Sequence, residues 1–326
     1  MEIPRVRLGV RVAGLARALL LPILLVVEIG FFGATAPHFF SWGNFSNIIV
    51  SSSCLAILAS GMTFIILLGG IDVSAGSVLG VVAWTAAKLS SEGVPAAVTF
   101  MVAIVVGAAL GSLNGVLVIL ARIPPIIATL GTGALFATLQ FLLWNSVDIY
   151  SGPIVPFLSK AAISGFPIIA VVIVVVYAVI FYLLRRRVWG RHLYAIGNDH
   201  EGARLLGIAV NRVTFSAYVA MGALAGLAGL IYVGLYGTVQ SASGTEFTLI
   251  AIAAVIVGGS SVLGGEGGVL RTLGGVAFIA LAQNAATLIG VPSLWDNVIV
   301  GVALLLAVGV DVAGRRLSTL RQNETR

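Results

Sequence analysis

Charge is what this chain most lacks. Asp, Glu, Lys and Arg make up only 9% of its 326 residues, against about 25% in an ordinary soluble domain. A deficit of that size excludes a soluble protein with a large core. Cysteine occurs once, at Cys54, so no disulfide can close within the chain; its apolar surroundings suit a small packing residue. The three histidines, His38, His192 and His200, fall in expected loops without metal-ligand spacing. There is no Walker lysine motif, so the chain does not hydrolyse ATP itself, and no cofactor or metal is expected. Acids are nearly missing from the apolar segments. Glu28 lies near the middle of the first, where packing or an interhelix hydrogen bond is the expected role, and Asp72 sits at a segment end. Ion-coupled carriers place carboxylates in mid-membrane, so the energy source lies elsewhere.

What is present is apolar. Hydrophobic residues make up 59% of the chain, in blocks of about 20, the length that crosses a hydrocarbon core of about 30 Å as a helix. Glycine, at 40 residues, is frequent in packed membrane helices. The expectation is an all-α polytopic membrane protein, one transmembrane domain over 1–326. About ten spans are expected, near 15–36, 47–69, 73–90, 95–121, 124–144, 166–184, 213–236, 246–262, 269–289 and 296–313. The third and eighth are short or broken by glycine.

The basic residues give a second reading of that topology. With ten spans and both termini cytoplasmic, sixteen of the eighteen Lys and Arg residues fall on the cytoplasmic side, leaving only Lys88 and Lys160 outside. Lys and Arg collect on that side of membrane proteins. The net charge of +6 is therefore a topology signal and no mark of nucleic-acid binding. At the N-terminus, an Arg-rich stretch, an apolar run and Ala34-Thr35-Ala36 resemble a signal peptide. The run from Leu15 to Phe32 is long for that role and contains Arg17, so it reads as a retained first span.

Two glycine-rich interruptions echo each other weakly. Gly69-Gly70-Ile71-Asp72-Val73-Ser74-Ala75-Gly76-Ser77 follows the second span, and Gly258-Gly259-Ser260-Ser261-Val262-Leu263-Gly264-Gly265 follows the eighth in the same orientation. Transporters are often built from such repeats, with broken helices at matching positions. Gly69, Gly70, Asp72, Ser74, Gly258 and Gly259 are the candidate broken-helix residues.

Polar residues within the spans fall on defined faces. In span five, Thr129, Thr132, Phe136 and Gln140 are spaced by 3, 4 and 4 and so share one helical face. In span nine, Thr272, Gly275, Ile279 and Gln283 repeat the pattern beside Asn284, and Asn114 is similar in span four. A glutamine facing lipid is costly, so these faces line a translocation pathway or carry interhelix hydrogen bonds. Gly107, Gly111 and Gly115 in span four, and Gly222 and Gly226 in span seven, allow close helix approach. Span six is nearly all Val, Ile and Leu, as suits a lipid-facing helix.

The longest hydrophilic loop, 185–212, reads as a cytoplasmic coupling loop. Asn198 followed by Glu201 resembles a capping box, and Gly207 can end a helix in the left-handed conformation. The expected product is a two-turn helix along the cytoplasmic face, leaving Ala203, Leu205 and Leu206 exposed unless a partner covers them. Asn198, Glu201, Ala203, Arg204, Leu205 and Gly207 are the candidate docking residues.

Taken together these landmarks resemble the permeases of bacterial ATP-binding-cassette importers for ribose, xylose, rhamnose and related monosaccharides. Autoinducer-2 permeases belong to that group, and branched-chain amino-acid permeases are more distant relatives. The resemblance runs from about residue 20 to 312. It is sharpest at Gly69 to Ser77, at Pro125-Ile126-Ile127-Ala128-Thr129-Leu130-Gly131-Thr132, at Gly190-Arg191-His192-Leu193-Tyr194-Ala195-Ile196-Gly197 and at Gly258 to Gly268. Val73 and Ala75 stand where Leu and Val are more usual. The resemblance implies a second permease chain, as homodimer or heterodimer, and two cytoplasmic ATPases docked at the loop containing Glu201, Arg204 and Leu205. It also implies a periplasmic sugar-binding protein and residence in the bacterial inner membrane. An ion-coupled secondary carrier and a permease for branched-chain amino acids are the alternatives within transport. An integral membrane enzyme would need an acid, base or metal cluster that the sequence does not contain.

Overall fold

The computed structural model describes residues 4–144, 149–150, 162–163, 165–305 and 309. Helix α1 (Pro4–Thr35) is followed by α2 (Trp42–Ser51) and α3 (Ser53–Leu67), which meet at a 47° bend. Next come α4 (Ala75–Ser91), α5 (Ala96–Ile119), α6 (Pro125–Trp144) and α7 (Ile168–Arg186). Two shorter helices, α8 (Val188–Asn198) and α9 (His200–Leu205), precede α10 (Val210–Tyr236), α11 (Glu246–Val257), α12 (Val269–Leu288) and α13 (Asp296–Leu305). Among the described residues strand structure is confined to two short antiparallel pairs. Strand β1 (Ile149–Tyr150) pairs with β4 (Thr238–Val239), and β2 (Ala162–Ile163) pairs with β3 (Phe166–Pro167).

The all-α polytopic expectation holds. Among the described residues five helices are long and apolar enough to cross a membrane, or six if α2 and α3 form one bent span. Helix α11, with 12 residues, is about 18 Å long at ~1.5 Å per residue, well short of a bilayer. It corresponds to the glycine-broken eighth segment. The first helix starts at Pro4 rather than near 15, because nothing in that stretch stops a helix. Lys160 and the arginines from Arg315 onward lie outside the described residues.

Helix α3 is the centre of the bundle. All fifteen of its residues are buried, as suits a helix that is apolar on every face. Cys54 is fully buried there, its thiol 3.6 Å from the carbonyl of Ala228. The α5–α10 contact depends on absent side chains: a Cβ on Gly107 or Gly111 would collide with the carbonyls of Gly222 and Tyr218, and one on Gly226 would meet Ala103. The two glycine stripes thus face each other, so the backbones close to a distance that only glycine allows. Helix α7 is lipid-like on one face only. Val171, Val174, Val175 and Val179 are exposed, whereas Ile169, Ile173, Ile180 and Leu184 are buried. Tyr177, on the inner face, donates its hydroxyl to the Ala56 carbonyl at 2.9 Å.

Candidate functional site

Both interruptions begin with the same local chemistry. At the end of α3, Gly69 turns to a φ of +79°, its N–H donates to the Ile66 carbonyl at 2.9 Å, and the Gly70 N–H donates to Ile65 at 2.9 Å. At the end of α11, Gly259 takes a φ of +89°, its N–H donates to Ile256 at 2.8 Å, and the Ser260 N–H donates to Val255 at 3.2 Å. This is the Schellman arrangement, whose left-handed position selects glycine. Gly258 has a different reason. A Cβ there would collide with the Arg271 carbonyl at the start of α12.

The two breaks are joined, and the 185–212 loop is packed against both. The Gly265 N–H donates to the Leu67 carbonyl at 3.0 Å. A Cβ on Gly197, near the end of α8, would collide with that same carbonyl and lie 2.6 Å from the Gly265 nitrogen. A Cβ on Gly264 would lie 2.7 Å from the Gly69 nitrogen and 2.9 Å from the Gly197 carbonyl. Tyr194 adds a side-chain tie, its hydroxyl donating to the Gly267 carbonyl at 3.1 Å. Burial holds that phenol above its ordinary pKa, with Arg185 and Arg271 opposing, so it remains a donor. Gly197, Gly264 and Gly265 occur in the sequence motifs, but nothing in their spacing announces that they meet.

From the first break a buried polar network leads away. Asp72 and Ser74 are 2% and 0% exposed. The Asp72 Oδ1 accepts from the Ser74 N–H at 2.9 Å and from its hydroxyl at 2.6 Å. Asn114 of α5 donates its amide to Ser74 Oγ at 2.7 Å and accepts the Thr132 hydroxyl at 2.6 Å. Thr129 of α6 accepts the Val73 N–H at 3.0 Å and donates back to Pro125 at 2.8 Å. Farther along α6, Phe136 is buried, and the Gln140 amide donates to the carbonyls of Gln240 and Ser243 at 3.1 and 3.2 Å. Thr129, Thr132, Phe136 and Gln140 therefore share one buried face. Thr129 and Thr132 with Asn114 hold the non-helical segment between α3 and α4, and Gln140 ties α6 to the loop before α11. A non-helical backbone buried in apolar surroundings needs such partners.

Gln283 and Asn284 lie elsewhere. The face they end is buried from Thr272, whose hydroxyl is 2.8 Å from that of Thr63, through Gly275 and Ile279. At its far end Asn284 donates to the Asn44 side-chain oxygen at 2.9 Å. Both residues open onto a cleft of about 330 Å³. The first network and this cleft do not touch.

The loop corrects three expectations. It forms two helices rather than one, because residues 188–198 are themselves amphipathic and bury Gly190, Leu193 and Ile196. Asn198 is the last residue of α8 and is not the cap. Asp199 caps α9, its Oδ1 accepting the Gly202 N–H at 3.0 Å. Glu201 consequently sits in the first turn of α9 without closing a capping box. Ala203 is buried at 3% exposure, turned inward against the bundle, while Leu205 and Leu206 are 87% and 83% exposed. Gly207 does end α9 left-handed, at a φ of +79°. Beside the loop lies a cavity of about 950 Å³ whose lining includes Glu201, Arg204, Arg122 and Arg212, and which reaches Gly70 and Pro125.

The chain is similar to known proteins over most of its length. A family model described as branched-chain amino acid transport system / permease component matches residues 44–308. The ribose import permease protein of Escherichia coli is 35% identical over 298 residues, covering 89% of this chain and 92% of that one. The D-allose transport system permease protein of Escherichia coli is 32% identical over 292 residues, covering 88% and 89%. The autoinducer 2 import system permease protein of Salmonella typhi is 32% identical over 318 residues, covering 94% and 88%. No solved structure gives a significant match. The kinship expected from the motifs is borne out, and the matched segment takes in both broken helices, the buried network and the loop. The chain belongs to the branched-chain amino acid transport system / permease component family of membrane permeases.

Proposed function

We propose that this chain is the membrane-spanning subunit of an ATP-binding-cassette importer and carries a monosaccharide across the bacterial inner membrane. The similarity to ribose, allose and autoinducer 2 permeases over about nine-tenths of the chain supports the substrate class. One observation carries the mechanism: the end of α8 is packed onto the hydrogen bond that joins the two broken helices.

In this reading the chain crosses the membrane ten times with both termini inside, α4 and α11 being the short spans. The matching Schellman ends of α3 and α11 support the internal repeat. The clustering of Arg122, Arg204 and Arg212 on one cavity, far from the Lys88–Glu92 pair at the end of α4, fits the proposed orientation. Two permease chains form the pore. Cytoplasmic ATPases dock at α9 through Glu201, Arg204 and the uncovered Leu205, with Asn198, Ala203 and Gly207 setting its position. A periplasmic sugar-binding protein loads the opposite end.

ATP-driven movement of α8 and α9 then displaces Gly197 against Leu67 and Gly265, and so shifts both breaks together. Asn114, Thr129 and Thr132 hold the segment that moves, Gln140 ties α6 to the loop before α11, and residues of that face with Gln283 and Asn284 border the pathway in alternate states. The test is uptake of labelled D-ribose and D-allose into proteoliposomes holding the permease, its ATPase and its binding protein. ATP-dependent uptake insensitive to a protonophore is expected. Uptake that needs no ATPase and collapses with the proton gradient would make the chain a secondary carrier. ATP-dependent uptake of leucine in place of sugar would make it an amino-acid permease.

A further inference from the structure

We propose that the cleft at the far end of the bundle is a transient binding site for one monosaccharide ring within the permease itself. The proposal rests on the sugar-importer reading and adds a place for the substrate.

The cleft holds about 330 Å³, which at ~30 Å³ per water is room for about eleven waters. One sugar ring with a few waters fits. Its walls bring together the amides of Asn47, Gln283 and Asn284, the carboxylates of Glu246 and Asp296, and the ring of Tyr236. A sugar hydroxyl both donates and accepts, so it is well served by amides, which do both, beside carboxylates, which accept. Apolar side chains at the base complete the mix of polar and apolar surface that small-ligand sites share. One wall group is unfinished: Asn284 spends an amide N–H on Asn44, while its Oδ1 is covered and has no partner among the described residues. A buried acceptor without a donor is costly, and a ligand hydroxyl supplies one when the cleft widens.

The same lining discriminates among solutes. Among the described residues no Lys, Arg or His borders the cleft. A net anion would enter beside Glu246 and Asp296 with no cation among the described residues to receive it, whereas a neutral polyol carries no such penalty. Both acids also occupy first turns of helices, Glu246 in α11 and Asp296 in α13, where they complement the positive helix ends that could otherwise hold an anion.

The position couples the cleft to the glycine junction. Helix α3 runs from the cleft, at Leu55, to Leu67 at the junction. Helix α11 runs from Glu246 to Gly258, and α12 from Gly268 back to Gln283. The 47° bend between α2 and α3 lies at Ser52, which also lines the cleft. Three walls of the cleft are therefore the far ends of the helices that the junction ties together. A shift at the junction changes the cleft's width, as a site that must release its ligand requires.

Saturation-transfer NMR on the purified permease–ATPase complex in nanodiscs, without binding protein, tests the site with D-ribose, D-allose and L-leucine as probes. Transfer to the two sugars is expected, and transfer to leucine alone counts against the site. Glu246→Gln and Asn284→Leu should each weaken D-ribose binding about fivefold or more, the effect of one lost hydrogen bond. The nearly isosteric Glu246→Gln, checked for an unchanged melting temperature, guards against a folding defect. Failure of the wild-type complex to bind either sugar, or equal binding by wild type and both variants, overturns the cleft. ATP-driven sugar uptake by the same complex, reconstituted with its binding protein in proteoliposomes, would in either case leave the importer reading standing. ATP-driven leucine uptake in place of sugar would overturn the sugar substrate on which the cleft rests.

Discussion

Gly197→Ala is the sharpest perturbation the structure offers, because a single methyl group falls on the joint between three elements. The added Cβ would collide with the Leu67 carbonyl and lie 2.6 Å from the Gly265 nitrogen. Both neighbours are backbone, so no rotamer change can relieve the overlap. Forcing a methylene-sized group into packed surroundings costs about 1–3 kcal/mol. If the joint opens instead, the 3.0 Å bond from Gly265 to Leu67 is lost, and an unpaired buried peptide group costs about 1–3 kcal/mol. Either route separates α8 from the two breaks. The docking surface at Leu205 and Leu206 is untouched, so the ATPase still co-purifies while sugar moved per ATP falls about tenfold, the consequence of ~1.4 kcal/mol lost from the coupled state. The assay is simultaneous measurement of uptake and phosphate release in proteoliposomes. Gly207→Ala is the control: it strains a φ of +79° but meets nothing within 4 Å, so a modest stability loss with coupling intact is expected. An unchanged transport-to-hydrolysis ratio and melting temperature for Gly197→Ala would refute the junction as the coupling point.

Three further outcomes follow. Changing Glu201 and Arg204 together to Ala should abolish co-purification with the ATPase while leaving the permease folded in membrane, and unchanged co-purification counts against docking at α9. Asn114→Ala removes the link between Ser74 and Thr132. It should lower the thermal stability of the detergent-solubilised protein by about 2–4 kcal/mol, two orphaned buried groups at ~1–2 kcal/mol each, with Asn114→Asp the less harmful variant only if the new carboxyl holds a proton to donate to Ser74. Cys54, fully buried against α10, should resist maleimide in the folded protein and react only after denaturation. Rapid labelling of native protein would contradict the central placement of α3.

Much of the chain was legible because its solvent is a bilayer. In hydrocarbon each helix must satisfy its own backbone, so helix positions follow from runs of apolar residues, and every expected segment has a helix where it was placed. Glycine at 207 was readable for a similarly local reason, a left-handed turn that other residues strain. The loop was read less well. Asp199 and Asn198 are both good caps, and choosing between them depends on where α8 ends, which is set by Leu193 and Ile196 burying against the bundle. Ala203 was expected outward because the loop's own sequence does not show which side the protein occupies.

The polar residues mark the division most clearly. The sequence alone established that Thr129, Thr132, Phe136 and Gln140 share a face, since that is a matter of helical period. It also established that the chain is a polytopic membrane permease, since composition and motif order are properties of one dimension. Only the tertiary structure decided what those residues touch: Asn114 bridging Ser74 and Thr132, Gln140 reaching the loop before α11, and Gln283 with Asn284 in a separate cleft. It alone placed Gly197, Gly265 and Leu67 at one point, although they are scattered over some two hundred positions. The physical reason is that close approach is a property of pairs. A glycine tells of space for a neighbour, but the neighbour is chosen by how the helices pack.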